Sequence, residues 1–213
     1  MVSSMPELKR ALADIHAIRG QIAGSTQFRG YGPASVAATG VLALVVAEFQ
    51  SRWFELSSRG VTQQGMHSYL AVWVGVAAVA VLLTALETLK RARRVHSGLA
   101  HEMIHRALEQ FVPALMSGAL LTIVMLRFAP QNLWMLPGLW QIIFSLGVFA
   151  SCRFLPKQTF VVGVWYLSAG LAVIALGGLK GTCSPWSMGI PFGVGQLLVA
   201  GILQFGFRGE KSV

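Results

Sequence analysis

The chain has 213 residues, 54% of them apolar and only 12% charged, with a net charge of +9 at pH 7 and a mean hydropathy of +0.63. Soluble domains carry roughly 25% charged residues, so this composition argues against a water-soluble fold and for lipid as the solvent. The basic surplus does not indicate direct nucleic-acid binding, because the cations lie between long apolar stretches, where membrane topology accounts for them.

Residues 1–32 precede the first apolar stretch. Pro6 to Ala23 predicts an amphipathic helix: Leu8, Leu12, Ile15, Ile18 and Ile22 recur at three and four, with Lys9, Arg10, Asp14 and Arg19 between them. Such a helix lies on an anionic leaflet, packs under a bundle or docks a partner. Gly24 to Pro33 follows as a Gly-rich hinge, with Phe28 and Tyr31 as interfacial anchors. No short apolar core with a small-residue cleavage site is present, so a cleaved signal peptide is not expected.

Six stretches then approach the ~20 apolar residues that a hydrocarbon core requires. They are Pro33 to Phe49, Tyr69 to Leu89, Phe111 to Leu126, Leu133 to Cys152, Thr159 to Leu179 and Pro185 to Phe207. The expected fold is all-α, a polytopic integral membrane bundle of six transmembrane helices over 33–207, followed by a short tail at 208–213. Assigning the intervening segments to alternate sides puts 13 Lys and Arg on one side and 4 on the other. By the positive-inside rule both termini are cytoplasmic. Cys152 and Cys183 then fall on opposite sides of the bilayer and cannot pair with each other.

Within the first span Glu48 stands four residues before Arg52, a spacing that lets the two side chains meet at the outer interface. Glu48 is also an ionisable group near lipid and therefore a candidate site residue. The only long polar interval between spans is Lys90 to Glu109. Its Lys90, Arg91, Arg93 and Arg94, with Lys9, Arg10 and Arg19 of the N-terminal helix, form a candidate cytoplasmic face for a regulatory protein or anionic lipid headgroups. His101, His105 and Glu109 share one helical face but lack a nameable fourth ligand, so no metal site is expected there. All five His lie outside the spans, which disfavours a bis-His haem; no cofactor is expected.

Gln141 and Gln196 are the strongly polar uncharged groups near the middle of the fourth and sixth spans, with Trp140 beside the first of them. An amide facing lipid would lack partners, so both are expected to point inward, either bonding across helices or lining a polar site. A repeat links these spans. In each, a Gly (Gly138, Gly193) stands three residues before the Gln, and two aliphatics follow; the helices before them carry Gly118 and Gly170. The first hairpin shares only Thr39-Gly40 before an aliphatic run. Pairs of small residues four apart (Ala114 and Gly118, Ser168 and Ala172, Gly189 and Gly193) predict close helix approach. Trp53, Trp73, Trp134, Trp140 and Trp186 map to the outer half, as an interfacial belt would.

Phe28-Arg29-Gly30 and Pro191-Phe192-Gly193-Val194-Gly195-Gln196 resemble segments of a group of uncharacterised small bacterial six-span membrane proteins, often encoded beside winged-helix transcriptional regulators. The resemblance covers under a tenth of the chain; it implies a multi-pass inner-membrane location and a regulatory setting, and carries over no catalytic residue. The spans hold neither a deep His nor two deep carboxylates, as an intramembrane hydrolase would need. The expectation is a non-enzymatic regulatory or scaffold protein, in contact with membrane lipid and open to homo-oligomerisation. The alternative is a small transporter or channel with a midplane site near Gln141 and Gln196. The orientation is testable: cysteine at Gln64 or Asn132 labels with an impermeant maleimide from outside, and at Ser97 or Ser212 only after permeabilisation. The reverse pattern would invert the topology.

Overall fold

A computed structural model describes residues 33–57, 63–94, 98–152, 158–180 and 184–209, with side chains described over slightly shorter stretches. The helix expected over Pro6 to Ala23, with Lys9, Arg10 and Arg19, lies outside the described residues, as does Cys183. The described residues are helical apart from short connections: α1 (Pro33–Ser57), α2 (Gln63–Arg94), α3 (Gly98–Phe128), a 3-10 turn (Pro130–Met135), α4 (Leu136–Ser151), α5 (Thr159–Lys180) and α6 (Trp186–Gly209). Among the described residues six segments are long and apolar enough to cross a membrane: Pro33–Trp53, Gly65–Glu87, Phe111–Phe128, Pro130–Ser151, Thr159–Leu179 and Trp186–Gln204. The chain is a multi-pass membrane protein.

Helices outrun the apolar spans wherever nothing in the sequence breaks them. α1 continues past Phe49 to Ser57, since neither Gly nor Pro intervenes. The described parts of the polar interval after Leu89 are helical. α2 runs on through Lys90, Arg91, Arg93 and Arg94, good helix formers, and α3 resumes at Gly98. The fourth span starts earlier than expected and in two parts, a 3-10 turn opening at Pro130 and an α-helix with Pro137 in its first turn, where a missing N–H costs nothing.

The most extensive packing is between α1 and α6 and between α4 and α5; α3 lies on α4, α5 on α6, and α2 and α3 barely touch. The two large interfaces are built alike. A Cβ added to Gly170 would lie 2.7 Å from the Gly138 carbonyl oxygen, 2.9 Å from Ile142 and 3.1 Å from the Gln141 Cβ. On α1, a Cβ added to Gly40 would lie 3.0 Å from the Gly193 carbonyl oxygen, 3.0 Å from the Gln196 Cβ and 3.5 Å from Leu197. In return Gly138 sits under Ile174 and Gly193 under Leu44, each four residues beyond the receiving glycine. The sequence repeat is therefore a packing repeat: the second helix of one hairpin lays its Gly-x-x-Gln face on the glycine of the next hairpin's first helix, with α6 returning to α1.

Other small residues divide. Gly189 abuts Ala47 at the α1–α6 crossing, and Gly147 abuts Ala114. Ser168 and Ala172 are exposed. Backbone contact at Gly138 leaves no room for a side chain, whereas a Cβ on Gly75 meets nothing within 4 Å. Gly138→Leu and Gly193→Leu should therefore destabilise the bundle by about 1–3 kcal/mol or more, while Gly75→Leu is tolerated, as read from thermal unfolding in detergent.

Candidate polar site

Pro191 lies inside α6 and has no N–H, so the carbonyl of Ser187, one turn earlier, loses its helical donor. Gln141 of α4 replaces that donor: its Nε2 bonds the Ser187 carbonyl at 2.7 Å and reaches Met188 Sδ at 3.8 Å. The Gln141 side chain is fully buried. Because the carbonyl requires a donor, the amide orientation is fixed, and Oε1 faces away without a partner. From the other side Trp165 Nε1 of α5 donates to the Pro191 carbonyl at 2.9 Å.

A chain of polar contacts continues from Ser187 across two more helices. The Tyr69 hydroxyl of α2 lies 3.4 Å from Ser187 Oγ and 3.4 Å from the Ser184 carbonyl. Gln50 Nε2 of α1 donates to the Tyr69 carbonyl at 3.5 Å. Trp73, one turn along α2, lies against Tyr69 with ring centroids 6.4 Å apart. The surrounding wall is apolar: Ala43, Ala47, Leu133, Leu136 and Met188. Three polar atoms in this cluster, Gln50 Oε1, Trp73 Nε1 and Gln141 Oε1, are buried without a partner. Each unmade hydrogen bond of this kind costs about 1–3 kcal/mol. The cluster offers amides, hydroxyls and an indole, groups that bind and orient but do not supply a base at neutral pH. Among the described residues no three His, Cys, Asp or Glu converge as metal ligands.

The residues singled out in the sequence scatter around this cluster. Gln141 belongs to it. Trp140, half-buried, instead donates to Thr122 Oγ1 at 2.8 Å and ties α4 to α3. Gln196 is half-buried over Gly40, nine residues along α6 from Ser187 and so about 13 Å from the Gln141 bond. The two glutamines hold equivalent packing positions but do not form one site. Glu48 pairs with Arg52 at 2.6 Å on the exposed surface of α1, as the spacing required. Lys90 is exposed where α2 continues past its apolar span, and Arg91, Arg93 and Arg94 follow on the same helix. His101, His105 and Glu109 lie on one helix, α3.

Sequence reasoning missed Gln50, Tyr69, Trp73 and Ser187. Gln50 falls one residue beyond the apolar limit of the first span, Tyr69 at the limit of the second, and Trp73 was assigned to an interfacial belt. Trp53 fits a belt, exposed on α1, but Trp73 is 2% exposed and belongs to the core. Pro191 with a Gln on a neighbouring span was the available signal for Ser187. At the other end of the bundle the Tyr166 hydroxyl is also buried and unpartnered, pressed on Gly195 within an aromatic group that includes Phe144 and Phe192.

No family model, curated protein or solved structure matches this chain. The Pro191 arrangement is testable by a double-mutant cycle. Gln141→Leu should cost about 1 kcal/mol in stability. With Pro191→Ala, which returns an N–H to the helix, the same change should cost measurably less; equal costs in both backgrounds would break the assignment.

Proposed function

We propose that the protein is a non-enzymatic regulatory or scaffold protein of a bacterial inner membrane, both termini cytoplasmic, that holds a cytosolic partner at the membrane through the hairpin of α2 and α3. The supporting observation is length. α2 has 32 residues and α3 has 31, so at ~1.5 Å per residue each is about 46–48 Å long against a hydrocarbon core of about 30 Å. Headgroups account for about 5–7 Å per side. The excess carries the hairpin beyond them on the side that the basic residues assign to the cytoplasm.

Lys90, Arg91, Arg93 and Arg94 occupy less than half the circumference of α2 within about a turn and a half, on a helix rather than a loop. Those nearest Glu87 stand at headgroup level, where anionic lipid steadies them; the rest of the hairpin is presented to an acidic protein surface. By the distribution of Lys and Arg along the sequence, Lys9, Arg10 and Arg19 fall on the same cytoplasmic side. Substituting Lys90, Arg91, Arg93 and Arg94 together by Gln should leave the bundle folded and abolish recovery of a stoichiometric cytosolic protein in mild-detergent pull-downs. Removing Met1 to Gly24 should weaken that recovery. Undiminished recovery by the fourfold variant would refute the proposal, and solute flux in proteoliposomes without any partner would favour a transporter.

A further inference from the structure

We propose that the hairpin of α2 and α3 is a lever set by bilayer thickness: α2 pivots on the contacts near its Gly65 end, α3 bends at Pro113, and the tip of the hairpin moves sideways when the bilayer thins. This deepens the reading of that hairpin as the partner-binding element. Its test uses no partner, so the two can fail separately.

The pivot follows from where α2 is held. Its buried residues, Gly65, Tyr69, Leu70 and Trp73, all lie at or before Trp73, and none from Val74 to Glu87 is buried. Val81, Leu82 and Leu83 are each exposed, and three consecutive residues turn through about 200°, so this part of α2 meets lipid around most of its circumference. Its contact with the bundle is a narrow stripe of half-buried positions, Val76, Ala80, Thr84 and Glu87. The other helices are anchored at that same end. Val36 of α1, Val148 of α4, Val162 of α5 and Leu203 of α6 are buried there, and Phe111 of α3 meets Phe144 edge-on with centroids 5.2 Å apart.

The tip of α2 cannot move without that of α3, since only residues 95–97 separate the two helices. Pro113 supplies the second joint. It withholds the N–H that the Glu109 carbonyl would take, and it stands exposed near the start of the apolar segment Phe111–Phe128.

Length supplies the drive. The apolar segment of α2, Gly65–Glu87, has 23 residues and is about 35 Å long. To match hydrocarbon cores of about 27 and about 33 Å it must tilt by about 40° and about 20°. With the pivot at Trp73, that difference carries Leu86 sideways by about 6 Å. Helices locked together at both ends keep their tilt, and the lipid adjusts to them instead.

The test is distance measurement by pulsed EPR on the full-length protein, with Cys152→Ser and Cys183→Ser, in nanodiscs of dimyristoyl-, dioleoyl- or dierucoyl-phosphatidylcholine. Spin labels at Leu86→Cys paired with Val161→Cys on α5, or with Leu146→Cys on α4, read the lever; Val72→Cys paired with Leu176→Cys reads the pivot, and all five positions are exposed. From the thickest to the thinnest bilayer at least one Leu86 distance should change by about 4 Å or more and the Val72 distance by less than about 2 Å. Pro113→Ala should cut the Leu86 change by about half or more, because it restores the helical bond across the second joint. A Val72 distance equal to the parent's shows that the bundle of that variant is intact. The proposal is overturned by Leu86 distances as constant as the Val72 distance, by a Val72 distance that changes as much as they do, or by an undiminished Leu86 response in Pro113→Ala.

Discussion

In hydrocarbon no water repairs a broken backbone hydrogen bond, so a proline inside a spanning helix must be answered by a side chain from elsewhere. α6 carries such a proline, and Gln141 from α4 answers it at the Ser187 carbonyl, while Trp165 from α5 adds a bond to the Pro191 carbonyl. These bonds fix the heights of α4 and α5 against α6. They also determine which way the Gln141 amide points, and so where its unpartnered oxygen lies. The polar cluster follows from this repair rather than standing apart from it.

Glycine sets the lateral arrangement. The α4–α5 and α6–α1 interfaces use one device, a Gly-x-x-Gln face laid on a glycine, which brings backbones into contact where Leu-rich surfaces would not discriminate between lipid and protein. The pair that would complete the set, α2 on α3, is not formed. Gly118 of α3 meets only Trp140 of its own hairpin, at 3.9 Å, and the 3-10 turn contacts both helices instead. α2 accordingly turns Tyr69 and Trp73 toward α1 and α6, where the Tyr69 carbonyl accepts from Gln50 and the Tyr69 hydroxyl lies against Ser187.

The two ends of the molecule thus have different chemistry. One holds neutral, buried hydrogen-bonding groups among apolar walls; the other extends two long helices, of which α2 carries Lys90, Arg91, Arg93 and Arg94 in its sequence.

Hydropathy and length were enough to identify six spans, because the cost of polar groups in lipid is paid residue by residue and needs no knowledge of neighbours. The Glu48–Arg52 pair was legible for the same local reason, and the repeat was legible because Gly and Gln recur at fixed spacing. Helix ends were not, since apolarity ends a span while only Gly, Pro or tertiary contact ends a helix; α1, α2 and α3 all continue past their apolar limits. The site was half legible. Gln141 stood out as an amide in an apolar span, but its partner, the Ser187 carbonyl, is a backbone group that becomes available only because Pro191 lies four residues away and α4 crosses at that height. Trp73 looked interfacial because sequence gives depth along a span and not which side faces protein. Periodicity and charge in the sequence determined the number of spans and which residues repeat; only helix packing decided that Gln141 and Gln196, alike in their local pattern, meet different neighbours and that Trp73 is core rather than belt.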